Sequence, residues 1–122
     1  MWAFSYTAPA AGAGRTWVLS GATEADELQS VDVGAEAVRA RVASVVGQLS
    51  AQLEAIGQDW SAATALSLYT VHDAHAALRS ELLPRLGPAA VNGVRWFPSR
   101  PPITGLELEI DARRVRREIV IP

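Results

Sequence analysis

Two hydrophobic periods organise the chain. Val38, Val42, Val45, Val46, Leu49, Leu53 and Ile56 recur at spacings of three and four, the apolar stripe of an amphipathic helix. Asp32 is placed to cap its start and Gly57 to lie past its end. Gly34 and Gly47 each weaken it by about 1 kcal/mol relative to Ala, and either would permit close packing on a sheet. At Leu106–Asp111 the period becomes two. Leu106, Leu108 and Ile110 alternate with Glu107, Glu109 and Asp111. Successive strand side chains point to opposite faces, so the apolar three face a core and the three carboxylates share the other face. Like charges on one face repel and need a cation nearby. Arg95 and Arg100, on the preceding segment, are the nearest.

The other elements follow from shorter signals. Trp2, Phe4 and Tyr6 alternate with smaller residues as a first strand. The Ala- and Gly-rich stretch from Pro9 to Gly14 is a turn, and Thr16–Gly21 completes an N-terminal hairpin. Ala22–Ser30 is a polar, acidic loop. Ala62–Val71 reads as a strand buried on at least one face. Asp73 caps a second helix, Ala74–Leu86, with Leu78, Leu82 and Leu86 on one stripe. Pro84 in its last turn ends or distorts it, and Gly87-Pro88 breaks the chain. Strands follow at Val91–Phe97 and Leu106–Ala112, and Val115–Ile121 extends the last or adds a short one. The order ββ-α-β-α-ββ predicts an α+β fold, a mixed β-sheet with two helices packed on one face. Trp17, Leu66 and Leu68 are candidates for the opposite face, which then needs cover from water.

At 122 residues, 49% of them hydrophobic, the chain is expected to form one domain over 1–122. A net charge of −2 gives no pull toward nucleic acid or membrane. All eleven basic residues are Arg, which excludes a lysine Schiff base. The absence of Cys excludes thiolate nucleophiles, disulfides and thiolate metal sites. Apolar runs are too short to span a bilayer. The N-terminus has neither a basic region nor a sustained apolar run, so no signal peptide and a cytoplasmic location are expected.

Several local motifs, in order, carry a resemblance. They are Tyr6-Thr7 followed by Val18-Leu19-Ser20-Gly21, then Leu49–Gly57 followed by Trp60. Leu68-Tyr69-Thr70-Val71-His72-Asp73 comes next, and last Arg100-Pro101-Pro102 followed by Leu108-Glu109-Ile110-Asp111. Together they resemble the Rid (YjgF-like) family, whose fold is similar to that of the trimeric chorismate mutases. The resemblance implies a homotrimer with inter-subunit clefts, a small carboxylate-bearing ligand and no cofactor. It implies a deaminase hydrolysing reactive 2-imino or 2-enamino acids to 2-keto acids and ammonia. Two alternatives stay open: a non-catalytic module binding small carboxylates or proteins, and a pathway-specific enzyme for another small acid, cyclic or aminomuconate-like. In the family an arginine at the start of the penultimate strand binds the substrate carboxylate, and a glutamate on the last strand positions a water. By resemblance the arginine is Arg95. Its interval to Arg100-Pro101-Pro102 is about two residues short, which keeps the same strand face. Matching Glu109-Ile110-Asp111-Ala112 to the family favours Glu109 as the glutamate; counting from the proline turn favours Glu107.

The chemistry of these residues fits. A guanidinium offers a planar fork that grips both oxygens of a carboxylate; alternatively, Arg95 pairs with Glu107 or Glu109 across the sheet. Arg100 is a turn or ion-pair residue and the fallback for the carboxylate. Glu109 or Glu107 acts as general base or water-holder, or is an exposed strand carboxylate. Tyr6 lines the cleft or belongs to a core or interface. His72 and His75, flanking Asp73, lack a third ligand, so no metal is expected. Ser20-Gly21 lacks the glycine pattern of a nucleophile elbow. Arg113, Arg114, Arg116 and Arg117 have no aromatic interleaving, which favours solvation or pairing with a neighbouring subunit over nucleic acid.

Overall fold

The computed structural model describes residues 14–19, 33–103, 105–117 and 119. Tyr6 and the strand expected around it, the 22–30 loop and Asp32 lie outside them. The described strands are β1 (Trp17–Leu19), β2 (Ala65–Tyr69), β3 (Arg95–Phe97) and β4 (Glu109–Arg114). They form one mixed sheet in the order β1-β4-β2-β3, with β2 parallel to β3 and β4 antiparallel to both β1 and β2.

The long helix α1 (Ala35–Ala55) buries the expected stripe from Val38 to Leu53. Ile56 is the C-cap and is exposed, so the stripe ends one turn early. The exit is stereochemically complete. Gly57 takes φ 66, its N–H bonds Glu54 O, and Gln58 N–H bonds Leu53 O; these two bonds satisfy carbonyls that the helix leaves open. The N-cap is Gly34 rather than Asp32, in extended backbone and without a side-chain cap. A Cβ on Gly47 would meet nothing within 4 Å, so this glycine serves no close approach to the sheet. The Trp60–Ala62 turn then ties back, its indole Nε1 donating to Ser50 Oγ at 2.8 Å.

The second helical segment runs as α2 (His75–Ala77), a π turn (Leu78–Leu82) and α3 (Leu83–Leu86). Its cause is Pro84. Proline has no N–H for the carbonyl of Ser80 and crowds it, and the chain widens just before it, Leu83 N–H bonding Leu78 O. Asp73 sits one residue before the N-cap Ala74 and accepts the His75 N–H at 3.0 Å. Gly87-Pro88 opens a 3₁₀ turn to Asn92. The strand expected from Val91 is therefore reduced to Arg95–Phe97, and Val91 is 89% exposed. The last strand is shifted to Glu109–Arg114 and does not extend into the described residues after Val115.

Register fixes the two sheet faces. Leu66 pairs with Ala112, and Leu68 lies between Ile110 and Trp96. Leu19 joins Ala112 from the other side. These residues, with Trp17 and Leu108, pack into the core with the helices. Trp17, Leu66 and Leu68 thus face the helices, contrary to the expectation that they lie on the uncovered face. That face carries Val18, Ala65, Ser67, Tyr69, Arg95, Phe97, Glu109, Asp111 and Arg113. No helix among the described residues is long and apolar enough to cross a membrane.

Gly47→Ala tests the account of α1. With open space at Cβ and ordinary helical backbone, the substitution should stabilise by about 1 kcal/mol. A lower melting temperature would mean that the position is not free.

Candidate functional site

On the face that no described helix covers, the side chains stand in rows across the strands. Asp111, Ser67 and Arg95 form one row, and Glu109, Tyr69 and Phe97 the next. The Tyr69 and Phe97 rings stack with centroids 4.9 Å apart and planes 10° from parallel. Glu107, two residues before Glu109, continues the same alternation: Leu108 between them is buried on the opposite side.

The row of Glu107 is built by Thr70, which is fully buried at the end of β2. Thr70 N–H bonds Phe97 O, and Thr70 O accepts from Trp96 Nε1. Its hydroxyl donates to Glu107 O at 2.8 Å and accepts from His72 N–H at 3.2 Å. One residue thereby fixes β3, the approach to β4 and the start of the 71–74 turn. His72 and Glu107 are brought together as a result. His72 Nε2 lies 2.7 Å from Glu107 Oε2, and Arg100 Nε donates to the same oxygen at 3.0 Å. An ionised carboxylate only accepts, so Nε2 carries the proton in that bond. The His72 hydrogen bond first, and Arg100 after it, hold the Glu107 carboxyl below its ordinary range against the opposing effect of burial.

Glu109 has the opposite environment. Burial pushes its pKa up, and the Asp111 carboxylate beside it adds to the rise. No described cation pairs with it. A partly buried carboxyl raised in this way is the kind of group acid–base chemistry uses. The two glutamates left equivalent by spacing are thus different groups: Glu107 is committed to two donors, and Glu109 is uncommitted.

Arg95 is exposed on the Ser67 row and forms no ion pair with Glu107 or Glu109, so the cross-sheet pair envisaged for it is absent. Arg100 supplies the cation for Glu107 instead. His75 turns away from His72, bonding Asp73 through Nδ1 at 2.8 Å and resting on Trp96. Among the described residues no three metal-ligating side chains cluster. Arg114 bonds Gln58 Oε1 and Arg116 bonds Gly14 O, both within the chain. Sequence reasoning missed Thr70 and the role of His72. The signal was available only through register: pairing Leu68 with Ile110 sets His72 beside Glu107.

Comparison with known proteins bears on the family and the fold. Residues 1–119 match the family model of the 2-aminomuconate deaminase CnbZ. The chain belongs to the CnbZ family. A 2-amino-5-chloromuconate deaminase of Comamonas testosteroni is 32% identical over 132 aligned positions, covering 99% of this chain. This CnbZ-family chain spans about half, 52%, of that relative's length. Rid-type structures share its fold. RidA from an Antarctic Psychrobacter superposes with a TM-score of 0.62 at 19% identity, covering 85% of this chain and 83% of RidA. A YjgF family protein of Neisseria meningitidis gives 0.59 at 19% identity, with 88% and 85% covered. The expected α+β sheet with two helices on one face, and the Rid-type resemblance, are both borne out.

The environment of Glu109 makes a stability prediction. Its folded pKa lies above the ordinary 4.5, so its contribution is complete below that value and is lost as pH rises through the raised one. Glu109→Gln should therefore gain on the wild type in melting temperature between acid and neutral pH. A gain that shrinks toward neutral pH would mean that the carboxylate is stabilised where it stands.

Proposed function

We propose that this chain is a Rid-type deaminase of 2-enamino acids, of which 2-aminomuconate is one. The family and its C. testosteroni member support the reaction class. The observation that carries the reading to this site is Glu109, a carboxyl raised by burial and by Asp111 on the same sheet face as Arg95, which pairs with no described residue. 2-Aminomuconate bears its amino group on a double-bonded carbon next to a carboxylate. It is thus a 2-enamino acid, and the aminomuconate-like alternative becomes a case of the general deaminase.

The chemistry needs few groups. Protonation of the enamine at carbon gives the iminium. Water adds to the C=N carbon of the iminium and loses a proton to a base. The carbinolamine then takes a proton on nitrogen, and the C–N bond breaks to give ammonia and the 2-keto acid. Overall one enamine and one water become one ketone and one ammonia. Arg95 holds the carboxylate beside the reacting carbon, and Glu109 accepts the proton of the attacking water and returns it to nitrogen. A carboxyl whose pKa is raised by burial and a neighbouring carboxylate is suited to both.

Ammonium release from 2-aminomuconate, and from 2-aminoacrylate generated in situ, is the direct test. Glu109→Gln should lower kcat by about a hundredfold or more. Arg95→Ala should mainly raise KM, and Arg95→Lys should restore little because an ammonium lacks the bidentate fork. Wild-type kcat/KM in Arg95→Ala would remove that residue from the site.

The same reading includes a homotrimer whose clefts lie between subunits. Its support is the sheet face bearing Val18, Tyr69 and Phe97, which no described helix covers, together with the Rid-type fold. A cytoplasmic location goes with it, supported by the cysteine-free sequence. Sedimentation equilibrium at micromolar concentration should return three times the chain mass of 13.0 kDa; a monomer would sink the assembly.

A further inference from the structure

Arg100 is held in an unusual way. Its Nε donates to Glu107 Oε2, the oxygen that His72 already occupies. Neither of its two terminal Nη atoms bonds a described residue, and its side chain is 59% exposed. The end of a guanidinium suited to bidentate capture of a carboxylate is therefore left open, while the inner edge is anchored. A merely structural arginine–glutamate pair gains most by using both forks. Here His72 takes the place of the second contact, and Glu107 shares its charge between two donors.

The spacing of the rows says what this open end could reach. Arg95 shares its row with Asp111, and Glu107 lies four residues earlier on the same face. At about 3.3 Å per residue the two rows are roughly 13 Å apart. The lateral offset of two strands, about 10 Å, makes the diagonal roughly 16 Å. An extended six-carbon dicarboxylate spans roughly 6 Å between its carboxyl carbons at bond lengths near 1.5 Å. Bidentate contacts at N–O distances of about 2.8 Å add roughly 4 Å at each end. The sum, between guanidinium carbons, is roughly 14 Å; the diagonal of roughly 16 Å runs between the Arg95 and Glu107 backbones, and the Arg95 side chain, which pairs with no described residue, is long enough to reconcile the two. Between the two arginines stand the stacked Tyr69 and Phe97 rings and the Glu109 carboxyl. A flat conjugated chain gripped at both ends would cross these rings with an inner carbon near Glu109. A three-carbon acid could engage only one arginine.

We propose that Arg100 is the specificity-determining residue for the second carboxylate of a six-carbon dicarboxylate substrate whose first carboxylate is held by Arg95. Glu107 and His72 are positioning residues that fix the Arg100 guanidinium with its outer edge toward the substrate. The proposal rests on the deaminase reading for the reacting end of the molecule, and on the Arg100–Glu107–His72 geometry alone for the distal end.

Two stable ligands test it without turnover. Trans,trans-muconate has six conjugated carbons and two carboxylates; sorbate has the same carbon chain and one. In calorimetric titration the wild type should bind muconate at least about tenfold more tightly than sorbate, the worth of one charge-assisted pair. Arg100→Gln should abolish that preference by weakening muconate and leave sorbate affinity unchanged. His72→Ala should lower the melting temperature and reduce the preference while leaving sorbate affinity unchanged, which a general loss of structure would not do. Arg95→Gln should weaken both ligands. Equal affinities in the wild type, a preference that survives Arg100→Gln, or binding of neither ligand at millimolar concentration would overturn the proposal. Ammonium release from enamines without any muconate preference would leave the deaminase reading standing and remove this one. A preference dependent on Arg100 in a protein that releases no ammonium would do the reverse.

Discussion

The hydrogen bonds of Thr70 hold the functional end of this sheet together. A short strand such as β3, three residues long, has little ladder of its own. Its far end is secured by Thr70 N–H to Phe97 O and by the Trp96 indole to Thr70 O. Beyond Tyr69 the regular pairing of β2 with β4 stops. There the Thr70 hydroxyl takes over, reaching Glu107 O in place of a backbone donor. Because the residue is fully buried, losing any of these partners would leave a polar group unsatisfied in a dry environment, at a cost of about 1–3 kcal/mol. Order at this point is therefore strongly enforced, and His72 and Glu107 meet as a consequence rather than by their own attraction.

Two glutamates on one strand face show how packing, rather than residue type, sets their chemistry. Each projects from the same side at a spacing of two. Glu107 faces the turn that carries His72 and Arg100, and its charge is matched there. Glu109 stands over β2 beside Tyr69, with Asp111 as its charged neighbour. The first carboxylate adds stability above its ordinary titration range and loses it in acid. The second is a burden at neutral pH that a structural role does not explain. Groups pushed apart in this way are suited to different tasks, one to hold and one to exchange protons.

Much of the fold was legible in the sequence because α1 and the last strand keep one period without interruption. The apolar stripe from Val38 to Leu53 and the alternation around Leu108 and Ile110 each have a single burial solution. The failures lie where local backbone chemistry overrode pattern. Val91 and Val94 suggest a strand by composition, but Gly87-Pro88 starts a 3₁₀ turn that consumes the segment to Asn92. Leu66 and Leu68 were assigned to the wrong face because alternation with Ser67 and Tyr69 separates two faces without saying which one the helices cover. Only pairing with Ile110 and Ala112 orients them. The candidate site was legible as a set of residue types, Arg95, Arg100, Glu107 and Glu109. Which arginine meets which glutamate was not, because the answer depends on a residue 35 positions away, His72, and on the Thr70 bond that brings it in.

The residues this chain lacks sharpen what its site can do. With no Lys and no Cys, two common routes to covalent intermediates on carbonyl or imine carbons are closed. Every cationic side chain other than histidine is a guanidinium, which stays charged and does not attack carbon. Such a site binds anions without competing for the electrophile. On the proposed reading water is left as the nucleophile, and the side chains' part is to hold the acid at its carboxylates and to move protons. On that reading the sheet face offers arginines at its ends, an ion-paired glutamate fixing one of them, and a second glutamate whose raised pKa makes it hold a proton more firmly than an exposed carboxylate would.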